Sequence, residues 1–145
     1  MRSLIIIGII ILLGASAVFL LKKKDVGTER QIIRIGNQEL SVEIADTIAK
    51  QVRGLSGHQP LKENEGMLFM YENPRVLSFW MKDMRFPIDI IWIDEHKNIV
   101  GIASDISPDT FPQTFSSAVP VQYVLEVSAG WAEFHGVVAG DQFAW

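Results

Sequence analysis

Two patterns of hydrophobicity divide the chain. From Leu4 to Leu21 eighteen residues pass without a charge, and Ser16 is their one polar side chain. From Gln31 onward, apolar and polar residues alternate in short runs. Period-two alternation in QIIRI and LSVEIA, around Gly36-Asn37-Gln38, predicts a β-hairpin. TIAKQVRGL then changes to helical spacing through Ile48, Ala49 and Val52, with Asp46 as the expected cap and Gly54 near the end. GMLFMY, VLSFWM, IDIIWID, NIVGIAS and VQYVLEV predict five more strands, separated by turn chemistry such as Glu72-Asn73-Pro74 and Glu95-His96-Lys97-Asn98. A second short helix is expected over AGWAEFH, capped by Ser128 and stopped by Gly136; a turn at Gly140-Asp141 leads into a closing strand. The pattern predicts a mainly β fold over residues 31–145: a small β-barrel or sandwich-like domain with two short helices.

Residues 1–24 are a different material. As a helix at roughly 1.5 Å per residue, the apolar run would reach about 27 Å, close to the hydrocarbon thickness of a bilayer. A buried core helix would need a polar face, which this segment lacks. We therefore expect one N-terminal transmembrane helix with residues 4–21 in the lipid bilayer, followed by a linker over residues 25–30. Ala15-Ser16-Ala17 has the small-x-small form of a signal-peptidase site. The apolar run nevertheless continues through Val18-Phe19-Leu20-Leu21 to three lysines, a stop-transfer pattern that favours an uncleaved anchor. Arg2 and the amino terminus nearly balance Lys22, Lys23 and Lys24, which Asp25 partly offsets, so the charge count favours the lysine side in the cytoplasm only weakly.

Composition narrows the function. Net charge is −4, and no basic-aromatic stripe offsets it, which argues against a nucleic-acid partner. The absence of cysteine removes disulfides, thiolate nucleophiles and cysteine-ligated metals. His58, His96 and His135 lie in three separate segments with no ligand spacing, so neither a metal nor a cofactor is expected. No Gly-x-Ser-x-Gly elbow or phosphate-cradling glycine loop is present.

The chemistry worth weighing lies in FWMKDMRFPIDIIWID, from Phe79 to Asp94, where charges interrupt an apolar run. Alternation places Ile88, Ile90, Trp92 and Asp94 on one face of a strand and Asp89, Ile91 and Ile93 on the other. A tight return through Arg85-Phe86 would set Lys82 opposite Asp89 as a cross-strand ion pair, a structural reading without chemistry. The functional alternative has Lys82, Asp89 and Glu126 lining one pocket. The loop from Ser104 to Pro120, with three prolines and with Phe111 and Phe115, either closes over such a groove or folds back to seal one end of the domain.

RGLSG from Arg53, EGMLFMY from Glu65, FWMKDMRFPIDIIWID, YVLEVSAG from Tyr123 and GVVAGDQ from Gly136 together resemble the domain of unknown function 192 family. The likeness runs from about Ile32 to Phe143. It implies a compact β-barrel-like domain, commonly preceded by a signal or anchor segment and exported, and it implies no established activity. Many members carry two cysteines in the proline-rich loop; this sequence has none there, so such a pin is absent. Arg53, Trp80, Lys82, Pro87, Asp89, Asp94 and Glu126 match as motif positions. The family's usual export shifts the expected side of the domain to the extracytoplasmic one, against the lysine count. Two functions follow as expectations. One is a binding or accessory module of the cell envelope, for a small ligand or an envelope component. The other is a hydrolase-type enzyme using Asp89 or Glu126 with Lys82.

Overall fold

The computed structural model describes residues 30–145; the expected membrane segment and all but the last residue of the linker lie outside the described residues. Among the described residues no helix is long and apolar enough to cross a membrane. In chain order the elements are β1 (Arg30–Ile35), β2 (Gln38–Ala45), α1 (Ile48–Arg53), β3 (Glu65–Arg75), β4 (Ser78–Trp80), β5 (Ile88–Ile93), β6 (Ile99–Ile106), β7 (Thr114–Ser116), β8 (Val121–Ser128), α2 (Trp131–Phe134) and β9 (Phe143–Ala144). The hairpin forms as expected, with Ile35 opposite Gln38 and Gly36 at φ +56° in the turn. Thr47, not Asp46, caps α1: its side chain accepts from the Lys50 N–H.

Seven strands build one sheet in the order β6-β5-β8-β3-β2-β1-β9, antiparallel throughout except for the β2–β3 pair. The sheet curls until its two edges meet at one end. There Asn98 bridges Gln142, the Ile99 N–H donates to the Asp141 carbonyl at 2.8 Å and the Phe143 N–H to that of Lys97 at 2.9 Å. The result is a half-barrel closed at one end by the short C-terminal strand.

Each face of this sheet carries its own apolar core. Ile33, Leu40, Val42, Leu68, Ile91, Ile93, Leu125 and Val127 pack on one face with Trp131 and Ala132 of α2. Met67, Phe69, Ile88, Ile90, Trp92 and Val124 pack on the other, under Leu55, Leu77, Met81 and Phe86. All six residues of β5 are buried for this reason, which explains a strand that reads as an apolar run. Gly66 sits where a Cβ would come within 2.9 Å of the Glu126 carbonyl oxygen, so β3 and β8 are packed too closely there for any side chain.

The segment around Lys82 departs from expectation. The strand expected over Val76–Met81 shortens to β4 and pairs with β7 in a separate two-stranded sheet. Met81 to Pro87 crosses irregularly to β5, with Asp83 at φ +57°. The Gly57 N–H and the Ser56 hydroxyl hold it by donating to the carbonyls of Asp83 and Lys82. No hairpin joins β4 to β5, so the expected Lys82–Asp89 ion pair does not form. The loop from Ser104 to Pro120 is also more ordered than its prolines suggest, since it holds the end of β6, a single 3-10 turn over Pro108–Thr110, and β7.

Candidate functional site

Two carboxylates are buried in the sheet, and the fold treats them in opposite ways. Asp89 is 0% exposed. Its Oδ1 accepts from the backbone N–H of Asp105 at 2.8 Å and of Gly130 at 3.0 Å, and its Oδ2 from that of Ala132 at 3.0 Å. Three donors from two segments satisfy the charge, each such bond contributing roughly 1.5–3 kcal/mol. Asp89 therefore ties the end of β6 and the start of α2 to the middle of the sheet. Fully buried and lining none of the clefts described, it has a structural role.

Glu126 lies in the neighbouring strand, opposite Ile90 and Met67. Alternation turns it to the other face, away from Asp89. It is 5% exposed, and its Oε2 has no hydrogen-bond partner. Burial in apolar surroundings pushes its carboxyl up to about 8. The buried carboxyl lines a cleft of about 290 Å³. Phe69 and Leu55 are buried beside it, while Arg53, Val52 and Trp80 are exposed toward the mouth. Tyr71, Phe79 and Met84 complete the walls. Phe79 meets Phe69 and Trp92 edge to face, at 4.8 and 5.6 Å between ring centroids, which fixes the aromatic wall. The Tyr71 hydroxyl is raised by burial, an effect that the charge of Arg75 opposes and that of Glu126 reinforces. The Arg75 guanidinium stands 4.7 Å from the Tyr71 ring centroid.

Of the residues singled out in the sequence, Arg53, Trp80 and Glu126 meet at this cleft. Lys82 is not among the residues lining it; its ammonium lies over the Trp80 ring at 5.8 Å from the centroid. Lys82, Asp89 and Glu126 thus line no common pocket. Asp94 is remote, in the turn between β5 and β6, where its carboxylate accepts from the backbone N–H groups of His96 and Asn98 and from the Asn98 amide. Partial burial raises that carboxyl, but the Asn98 and His96 hydrogen bonds outweigh it and leave Asp94 below the usual carboxylate range. The two loop phenylalanines divide: Phe115 is half-buried against the core under β4, while Phe111 stays exposed and meets Trp80 at 5.6 Å. Pro87 offers its carbonyl to the Ala129 N–H.

Gln51, Tyr71, Phe79 and Met84 were missed by sequence reasoning. For Tyr71 a signal existed, since alternation in GMLFMY puts Met67, Phe69 and Tyr71 on one face and Met67 is the cross-strand neighbour of Glu126. The others come from covering segments whose docking no local pattern reveals. A second cleft of about 320 Å³ adjoins the first and shares Gln51 and Tyr71 with it. It contains no buried polar group without a partner. Among the described residues no cluster of three or more histidines and carboxylates is placed to hold a metal.

Residues 31–145 match the family described as domain of unknown function 192, an uncharacterised ACR. Solved structures that share the fold include two proteins of known source. A Sinorhizobium meliloti 1021 protein, provisionally described as a transcription regulator, is 28% identical with a TM-score of 0.76, over 82% of this chain and 95% of its own. A protein of unknown function from Novosphingobium aromaticivorans DSM 12444 is 28% identical with a TM-score of 0.79, over 84% of this chain and 89% of its own. No curated protein matches the chain.

Proposed function

The chain belongs to the domain of unknown function 192 family, and we propose that it is a membrane-tethered binding module of the cell envelope that receives a small molecule in the cleft over Glu126. One observation carries the reading. A buried carboxyl with a partnerless oxygen lines an aromatic-walled cleft, in a fold that satisfies its other buried carboxylate completely. Buried polar groups are ordinarily hydrogen-bonded, and an apolar pocket with one convergent polar group is the usual form of a ligand site. The tether is supported by the uncharged run Leu4–Leu21, and the outward position of the domain by the export usual among proteins it resembles. A transcriptional role of the kind ascribed to the Sinorhizobium protein has no support in the net charge of −4.

A hydrolase would draw on the same acid, since a carboxyl near 8 is suited to proton transfer at neutral pH. It would also require an activated nucleophile or an oxyanion site. The Ser56 hydroxyl is engaged with the Lys82 carbonyl, and those of Ser78 and Ser116 bond each other. Binding is therefore the better reading.

The test is a fragment screen on the full chain in non-ionic detergent micelles, read by NMR. Hits should perturb Gln51, Phe79, Trp80 and Met84 and be excluded by Ser78→Trp, which fills the mouth from an exposed position. Hits gathered elsewhere and indifferent to that substitution would sink the proposal. A topology reporter fused after Trp145 should be active only outside the cytoplasm.

A further inference from the structure

The cleft over Glu126 presents an acid without a base. Among the described residues no lysine, arginine or histidine lies within ion-pairing distance of it. Its nearest neighbours across the sheet, Met67 and Ile90, are apolar. The walls repeat the preference of the floor. Tyr71, Phe79 and Trp80 offer aromatic rings, whose faces attract positive charge as a carboxylate does. The Lys82 ammonium already lies over Trp80, 5.8 Å from the ring centroid, so this ring does accept a cation in this fold. Arg53 also lines the cleft, but it is exposed at the mouth, where water screens it.

From this arrangement we infer that the ligand is an organic cation, its charge seated on Glu126 and its apolar body against Phe79 and Trp80. The inference rests on the cleft being the binding site and names the class of molecule bound there. A cation of this kind supplies the partner that the fold withholds from Glu126, whereas an uncharged ligand would leave its ionised form unpaired. Seating it converts the neutral acid to a carboxylate and releases the proton to solvent. Because the acid titrates at about 8, its ionised fraction rises from roughly a tenth at pH 7 to nine-tenths at pH 9. A permanently charged ligand should therefore bind about tenfold more tightly at the higher pH. Arg53 and Tyr71 line the cleft with Glu126, Glu43 lies two strands across on the same face, and His58 feels the charges of both Glu43 and Arg53. Any pH dependence that survives in Glu126→Gln belongs to them.

The probes are benzylguanidinium, whose charge does not titrate in this range, and its uncharged isostere benzylurea. Each is titrated calorimetrically into the full chain in non-ionic micelles. Benzylguanidinium should bind, tighten about tenfold from pH 7 to pH 9 and release about one proton per molecule at pH 7; benzylurea should show neither effect. Glu126→Gln should abolish the tightening and weaken guanidinium binding at least tenfold at pH 9, leaving the urea unaffected. Trp80→Ala, at a half-exposed position that does not threaten folding, should weaken the guanidinium severalfold. Equal affinity of the two probes at pH 9, or guanidinium binding unchanged by Glu126→Gln, would overturn the cation assignment while the cleft stands as a binding site. Binding of neither probe also overturns it, and the fragment screen then decides separately whether the cleft binds anything.

Discussion

The Asp89 clamp and the absent Lys82 ion pair make opposite demands on stability, and one pair of substitutions separates them. In Asp89→Asn the remaining carbonyl oxygen can keep the Asp105 and Gly130 N–H groups, but the new amide N–H₂ faces the Ala132 N–H, donor against donor. One charge-assisted bond is lost and one buried N–H is orphaned, a cost of about 2–4 kcal/mol. Asp89→Ala orphans all three donors and should cost more than about 5 kcal/mol, a large part of the roughly 5–15 kcal/mol available to a domain of this size. Lys82→Met removes an exposed ammonium that lies over Trp80 and should stay within about 0.5 kcal/mol of wild type. Had the two residues formed a buried pair, losing either would cost about 3–5 kcal/mol. Urea unfolding of the full chain in micelles, followed by tryptophan fluorescence, measures each difference from the midpoint at constant slope. A Lys82→Met cost equal to that of Asp89→Asn, or an Asp89→Asn protein as stable as wild type, would refute the clamp.

Glu126 sets a pH dependence of definite sign. Its carboxyl titrates at about 8 when folded and near 4.5 as a free side chain, so the folded state holds an extra proton between those values. Its contribution to stability is complete below the lower value, declines as pH rises and levels off above about 8, a total of roughly 5 kcal/mol. Glu126→Gln should flatten that decline in denaturation curves taken from pH 5 to pH 9; parallel curves would disprove it. Gly66→Ala forces a Cβ against the Glu126 carbonyl oxygen, with Leu125 and Val127 side-chain atoms at 3.2 and 3.3 Å, and should cost at least about 1–3 kcal/mol in thermal unfolding. An unchanged melting temperature would mean that β3 and β8 can part there. Asp94→Ala should loosen the turn that brings Asn98 to Gln142, costing about 1–2 kcal/mol and speeding amide exchange at Phe143. Unaltered exchange at Phe143 would show that the end of the barrel closes without it.

Legibility followed sequence distance. The β1–β2 hairpin is local: two residues of turn and a period-two pattern on each side determine its register, and the reading matched. Within β5 and within β8 the alternation was legible too, since it separates Asp89 from Ile90 and Glu126 from Val127; that Asp89 and Glu126 lie on opposite faces follows only from the register that sets Asp89 opposite Val127. What β4 pairs with was not legible. Its partner β7 lies more than thirty residues away inside a proline-rich loop, and three-residue strands carry almost no pattern of their own. The partners of Asp89 were invisible for a deeper reason. They are backbone N–H groups of Asp105, Gly130 and Ala132, and any residue but proline would supply them. Among nearby side chains in the sequence Lys82 has the complementary charge, but the fold puts it beside Trp80 and not Asp89.

A buried carboxylate can be satisfied without a cation if other segments bring enough N–H groups to it, and around Asp89 both the end of β6 and the start of α2 do so. Glu126 is one strand away, in equally regular surroundings, yet the segments covering its face bring aromatic rings and no donor to Oε2. Stability does not account for this, since a leucine there would avoid the cost of burying an acid at neutral pH. The same sheet thus carries one acid whose partners are built in and one whose partner is missing. That contrast, a partnerless carboxyl oxygen beside an aromatic-lined cleft, is what the proposed ligand site rests on.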